Sequence, residues 1–283
     1  MKTLISATDL LAAVVGTTPP LLLDCSFELS APEAGEHAWR EGHLPGALYV
    51  NLDHDLAGNK HDAAGRFRGR HPLPEREAFA RRLGELGITP HTAVVCYDGQ
   101  GGMYAARAWW MLRWMGHAEV AVLDGGTAAW REAGGTMTAE PTVARAAAPY
   151  PVGEAAMPTI EAPDLLARLG RVRLFDARGG ERFRGEVEPL DKAAGHIPGA
   201  RNRFFKDNLT PDGRFKSAAA LRAEWMPLLA GQPAGEVIQQ CGSGVTACHN
   251  LLALTHAGLG DSVLYPGSWS EWSADAALPQ ARG

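Results

Sequence analysis

A thiol set among glycines is the first place in this chain where chemistry can be expected. The stretch Glu236-Val237-Ile238-Gln239-Gln240-Cys241-Gly242-Ser243-Gly244-Val245-Thr246-Ala247-Cys248-His249-Asn250 opens as a short apolar run, passes through a Gly-rich loop and continues as a helical pattern over 247–254. Strand, tight loop and helix N-terminus together put Cys241 at the first loop position. Successive loop N–H groups can then turn toward one point, and the helix behind them adds partial positive charge there. Such surroundings favour thiolate over thiol, and the thiolate is the nucleophile. Gly242 and Gly244 give the backbone a freedom that side chains would remove. The segment Gly242, Ser243, Gly244, Val245 and Thr246 reads as an anion cradle, in which the Ser243 and Thr246 hydroxyls are further donors. The competing reading of Cys241 is a small hydrophobe buried at a strand end.

Other chemistries use the same strand–loop–helix frame. A phosphate-binding loop ends in Lys-Ser/Thr, which is missing here. A Cys-dependent phosphatase closes its loop with an Arg six positions after the Cys, and that position is Ala247. Without the guanidinium, bidentate recognition of a phosphate is lost.

The elements that must position the loop emerge from an internal repeat. Gly42-His43-Leu44-Pro45-Gly46-Ala47 recurs as Gly195-His196-Ile197-Pro198-Gly199-Ala200, and Leu22-Leu23-Asp24-Cys25-Ser26 as Leu174-Phe175-Asp176-Ala177-Arg178. Val94-Val95-Cys96-Tyr97-Asp98-Gly99-Gln100-Gly101 parallels 237–244, and Leu123-Asp124-Gly125-Gly126-Thr127-Ala128-Ala129-Trp130 parallels Tyr265-Pro266-Gly267-Ser268-Trp269-Ser270-Glu271-Trp272. Matches in the same order mark a tandem duplication. Domains are expected at 1–140 and 159–283, joined by an Ala/Pro-rich linker at 141–158. Within each half, short apolar runs alternate with amphipathic stretches, clearest at 74–86, 103–115, 218–229 and 247–256. Alternation of this kind predicts an α/β fold: two domains, each a mostly parallel sheet with helices on both faces. Ligands in such sheets sit beyond the carboxyl ends of the strands, where Cys241 falls.

Composition agrees with two globular domains: 283 residues, 46% hydrophobic, 21% charged and a net charge of −5. The acidic balance argues against nucleic acid as a partner, and no run approaches the ~18 apolar residues of a membrane span. Ser6 or Thr8 caps a first helix, so the N-terminus reads as structure rather than as a targeting segment. Cys25, Cys96, Cys241 and Cys248 form neither a disulfide framework nor a zinc pattern, which suits a reducing cytoplasm. Three of them are expected to be buried, with a resolving thiol the other reading of Cys248. His43 and His196, present in both halves, are expected to stabilise turns rather than to act as ligands. The Trp109–Trp114 cluster has helical spacing and reads as core and domain interface. The basic run Arg66-Phe67-Arg68-Gly69-Arg70-His71 reads as a solvated loop.

Taken together, these motifs resemble the two-domain rhodanese-type sulfurtransferases over nearly the whole chain. The loop 241–246 is similar to that of 3-mercaptopyruvate sulfurtransferases; thiosulfate enzymes carry charged residues after the Cys. The resemblance implies that the first domain is catalytically silent, with Asp98 at the position of Cys241. It implies a two-step transfer without cofactor or metal. The Cys241 thiolate takes the outer sulfur of a small anionic donor, thiosulfate or mercaptopyruvate, as a persulfide and hands it to a thiol or cyanide. It also implies a cation for the donor: Arg182, in Asp176-Ala177-Arg178-Gly179-Gly180-Glu181-Arg182-Phe183, with Arg178 pairing with Asp176 in support; the alternative for either is a surface ion pair. Mercaptopyruvate enzymes have a further Arg where this chain has Leu190, with Lys192 or Arg203 as candidate replacements, so the donor stays open. A non-catalytic persulfide carrier loaded by another protein is the alternative function.

Overall fold

The computed structural model describes residues 2–283. These fall into two units, and neither is a continuous piece of chain. The first comprises residues up to Ala57, Pro74–Ala156 and Thr210–Phe215; the second comprises Gly58–Leu73, Met157–Leu209 and Lys216–Gly283. Each unit therefore takes a segment from the opposite half of the sequence.

In the first unit, strands β1 (Leu4–Ile5), β2 (Leu21–Asp24), β3 (Leu48–Tyr49), β4 (Val94–Tyr97) and β5 (Val120–Leu123) form one parallel sheet in the order β1-β5-β4-β2-β3. Helices α1 (Ala7–Val14), α2 (Ala34–Glu41), α3 (Arg76–Glu85), α4 (Ala105–Trp114) and α5 (Gly126–Glu132) alternate with them. Ser6 caps α1 by accepting the Asp9 N–H at 3.1 Å. The central strands β4 and β5 are buried along their whole length, as expected of a parallel sheet covered on both faces, and this is why they read as unbroken apolar runs. Leu10, Leu22, Leu44, Val95, Tyr97 and Trp130 make a core on one face. Trp109 and Trp110 of α4 are fully buried.

The second unit repeats the plan. Strands β6 (Arg173–Asp176), β7 (Arg201–Asn202), β8 (Val237–Gln240) and β9 (Val263–Leu264) form a parallel sheet in the order β7-β6-β8-β9, and Thr159 bridges to Leu264 where β1 would stand. Helices α6 (Ala162–Arg168), α7 (Gly180–Arg184), α8 (Ala218–Leu229), α9 (Thr246–His256) and α10 (Ser268–Trp272) accompany it. Leu165, Leu174, Ile197, Ile238, Tyr265, Trp269 and Trp272 pack together.

The duplicated turns behave as the repeat predicts. His43 stacks on Trp39 at 4.5 Å and bonds its carbonyl through Nδ1; His196 stacks on Phe183 at 3.9 Å and does the same. Both rings brace a turn. All four cysteines are free and buried, and the Cys248 Sγ donates to the Gly244 carbonyl at 3.3 Å. Among the described residues, no helix is long and apolar enough to cross a membrane.

Candidate active site

Cys241 follows β8 directly, at the carboxyl edge of the second sheet, and is 1% exposed. Its position is fixed from behind by the start of α10. The Cys241 N–H donates to Ser268 Oγ at 3.0 Å, the Cys241 carbonyl accepts from the Trp269 N–H at 3.0 Å, and the Gly242 carbonyl accepts from the Ser270 N–H at 2.8 Å. Ser268 holds a φ of 54°, in the left-handed region that costs a non-glycine residue about 1–2 kcal/mol. That conformation lets its hydroxyl serve two groups, since it also donates to the Tyr265 carbonyl at 2.9 Å. Gly244 has a φ of 77°, and a Cβ there would sit 2.4 Å from the Pro266 carbonyl oxygen, so the loop cannot pass this point with a side chain.

With the loop anchored through these carbonyls, three of its amides are left over. Gly242, Ser243 and Val245 are buried, and their N–H groups donate to no acceptor among the described residues. A buried, unsatisfied amide costs about 1–3 kcal/mol, so a run of them marks a place for an anion.

The first unit shows what such a loop does when an anion is built in. Asp98, the counterpart of Cys241, is fully buried after β4. Its Oδ1 accepts the N–H groups of Gln100 and Gly102, both at 2.8 Å, and its Oδ2 accepts those of Tyr104 and Ala105, both at 2.9 Å. A carboxylate thus fills its own cradle in one unit, while the other unit places a sulfur at the same point of the repeat.

Two guanidinium groups stand over the Cys241 loop. A Cβ on Gly242 would lie 3.2 Å from Arg70 Nη2 and 3.5 Å from Arg182 Nη1, so both guanidinium groups reach the loop at this residue. Arg182 projects from α7 and bonds Glu188 Oε1 at 2.7 Å and Asp191 Oδ2 at 2.9 Å; Arg70 bonds Asp191 Oδ1 at 2.5 Å. The carboxylates are sealed, Asp191 at 2% and Glu188 at 4% side-chain exposure, whereas the arginines keep 18% and 22%. The acids therefore aim the cations without covering them. Arg178 is arranged differently. At 1% exposure it is spent on the Asp176 carboxylate, Glu188, the Gly195 carbonyl and the ring of Trp269, 5.1 Å away. It supports the loop's surroundings and offers no face to a ligand.

Two sequence expectations need correction. The run Arg66–His71 is not simply a solvated loop, because its last two residues turn inward. Arg70 reaches Gly242, and His71, 3% exposed, brings Nδ1 to 2.8 Å from the Ser243 Oγ. Arg203 does not replace the missing Arg: it bonds Glu224 at 2.7 Å and Asn208 at 3.2 Å and lies over Trp225. Lys192 and Leu190 are exposed. Nothing in the spacing of the chain marked Arg70 and His71, since they lie more than 160 residues from the loop they serve. The basic run was the available signal. Thr246 opens α9, with Val245 as its cap residue.

The rhodanese-like domain model matches residues 6–133 and 161–275. The chain is 44% identical over 276 residues to the probable 3-mercaptopyruvate sulfurtransferase of Pseudomonas aeruginosa, covering 96% of each. It is 40% identical to the putative thiosulfate sulfurtransferase SseB of Mycobacterium tuberculosis, covering 100% of this chain and 98% of the relative. Among solved structures, the 3-mercaptopyruvate sulfurtransferase from Leishmania major superposes with a TM-score of 0.83 at 30% identity, over 96% of this chain and 74% of that one. SseA from Escherichia coli gives 0.75 at 29% identity, over 95% of this chain and all of that one. Two successive domain matches and curated relatives at 40% identity or more across almost the full length lead to one conclusion: the chain belongs to the rhodanese-like family of sulfurtransferases.

Proposed function

We propose that Cys241 is the nucleophile of a sulfur transfer from a small anionic donor, and that the donor is 3-mercaptopyruvate in preference to thiosulfate. The observation that carries the proposal is the set of unpaired amides at Gly242, Ser243 and Val245 in the loop that follows Cys241, with two guanidinium groups beside Gly242. In the first step the Cys241 thiolate attacks the donor's thiol sulfur. The new S–S bond forms as the donor's C–S bond breaks, and its electron pair leaves on carbon as the enolate of pyruvate, which takes up a proton. The sulfur stays as a persulfide, its charge held by the loop N–H groups. In the second step an acceptor thiolate takes the outer sulfur and Cys241 leaves as a thiolate; cyanide does the same in an assay.

Arg70 and Arg182 provide the fork that a carboxylate requires, and Arg70 takes the place of the Arg missing at Leu190. The pairing of His71 with Ser243 bears on the donor. An enolate leaving group needs a proton, whereas sulfite leaving from thiosulfate does not, and a hydroxyl backed by an imidazole can deliver one. In this reading the first unit is catalytically silent, because Asp98 has no reactive lone pair free of its four amides.

Mass spectrometry after incubation with each donor, beside side-by-side steady-state rates, is the test. A gain of one sulfur on Cys241, absent in Cys241→Ser, together with a higher kcat/KM for mercaptopyruvate is expected. No gain from either donor would overturn the nucleophile. A persulfide that loads only from a protein partner would make the chain a carrier.

A further inference from the structure

The two units differ in one buried place where an acid has kept its position and its cation has gone. In the second unit, Asp176 pairs with Arg178, whose Nη2 also donates to the Gly195 carbonyl and whose guanidinium lies over Trp269. The repeat aligns these four with Asp24, Ser26, Gly42 and Thr127. The carboxylate and the glycine carbonyl are retained, while the arginine and the indole are replaced by small side chains. A cavity of about 570 Å³ opens at this spot in the first unit, and Asp24, Ser26, Gly42 and Thr127 all line it.

Asp24 is 3% exposed, and the hydrogen bonds it receives come from uncharged donors: the Ser26 N–H at 2.9 Å, with the Ser26 and Tyr97 hydroxyls. Burial pushes its carboxyl up from the usual range, and the negative charge of Asp98 nearby pushes the same way. Gln100, also in the lining, spends its Nε2 on the Phe27 carbonyl at 2.6 Å and leaves Oε1 buried without a donor. Arg131 borders the cavity but forms no ion pair with Asp24 among the described residues. The place therefore has a buried carboxylate with no cationic partner among the described residues, one buried acceptor without a donor, room for a small molecule, and a sibling site that shows which group fits it.

We propose that this cavity is a binding site for a small guanidinium cation, which takes the position that Arg178 holds in the second unit, with its N–H fork on the Asp24 carboxylate and a further donor toward Gln100. The site is separate from the sulfur chemistry, and the proposal does not depend on the donor or acceptor of that reaction.

Calorimetric titration of the full chain with agmatine tests it. Saturable one-site binding is expected for the wild type, weakened at least about tenfold in Asp24→Asn, which is the scale of one charged hydrogen bond. Ser26→Arg tethers the guanidinium inside the cavity, so it should abolish agmatine binding and raise Tm. This second variant keeps the proposal testable even where Asp24→Asn folds poorly. An absence of saturable heat with the wild type, unchanged affinity in either variant, or a fall in Tm on Ser26→Arg would overturn the proposal.

Discussion

Removing the cations over the Cys241 loop tests the geometry and the proposed function on two separate scales, stability and activity. Arg70 and Arg182 share one sealed carboxylate, Asp191, through its two oxygens. In Arg70→Ala, Asp191 keeps Arg182; in Arg182→Ala, Asp191 keeps Arg70 and Glu188 keeps Arg178. Each single replacement leaves every carboxylate paired, so stability should fall by no more than about 1 kcal/mol, the range for partly exposed ion pairs. The double replacement takes both hydrogen-bonded cations from Asp191, which is 2% exposed in the intact protein, and an uncompensated buried charge costs about 3–5 kcal/mol. Urea unfolding of the four proteins should then show a coupling of about 2 kcal/mol, well beyond the scatter of independent sites. Steady-state kinetics should show the opposite emphasis. Each arginine lost to a donor anion removes a charged hydrogen bond of about 1.5–3 kcal/mol, or roughly 10- to 150-fold in kcat/KM, already in the single variants. Additive stabilities would refute the shared carboxylate, and a kcat/KM for Arg70→Ala within about twofold of wild type would remove Arg70 from the donor site.

The remaining expectations concern the frame around the loop. Ser268→Ala should lower stability by about 1–3 kcal/mol by orphaning the Cys241 N–H, while Ser268→Gly should recover about 1 kcal/mol of that by relieving the left-handed backbone. Chemical denaturation decides between them, and an alanine variant as stable as the glycine one would refute the strain. Asp98→Ala leaves four amides, three of them buried, without their acceptor and should cost at least about 3 kcal/mol in the same assay. Glu271, beside the Tyr265 hydroxyl at 2.7 Å, is held above its ordinary 4.5 by burial, against the pull of that hydrogen bond. Its folded form keeps the proton longer than its unfolded form, so stability declines as pH rises from 4.5 through the folded value and then levels. Glu271→Gln should remove this decline, and parallel Tm-versus-pH curves for the two proteins would refute it.

Much of the fold was legible because the chain states it twice. Apolar runs such as Val94–Tyr97 and Val237–Gln240 appear in register with the same glycines behind them, and each became the central strand of a parallel sheet. The strand–loop–helix around Cys241 was legible for the same local reason, since the loop's glycines stand within three residues of the cysteine. Arg182 lies in a segment that shares a strand end with Asp176, and the pairing of Arg178 follows from a spacing of two. Arg70 and His71 were not legible, because a periodic pattern reports which face of an element is buried but not which unit a connecting segment joins. Ser268 was hidden differently. Its counterpart Gly126 also has a φ of 54°, so the repeat carried the backbone conformation while the side chain disguised it.

The exchange of segments between the halves has a consequence for how this protein can be divided. A gene cut at the obvious join, before Met157, would yield a C-terminal product that still owns Cys241 but has surrendered residues 58–73, and with them one of the two guanidinium groups beside Gly242 and the imidazole beside Ser243. The N-terminal product would lose the strand of contacts that Thr210–Phe215 makes through the Phe215 N–H on Asp124. What descended from a doubled module has become a single indivisible unit of inheritance, since each copy now keeps a working part inside the other's stretch of sequence.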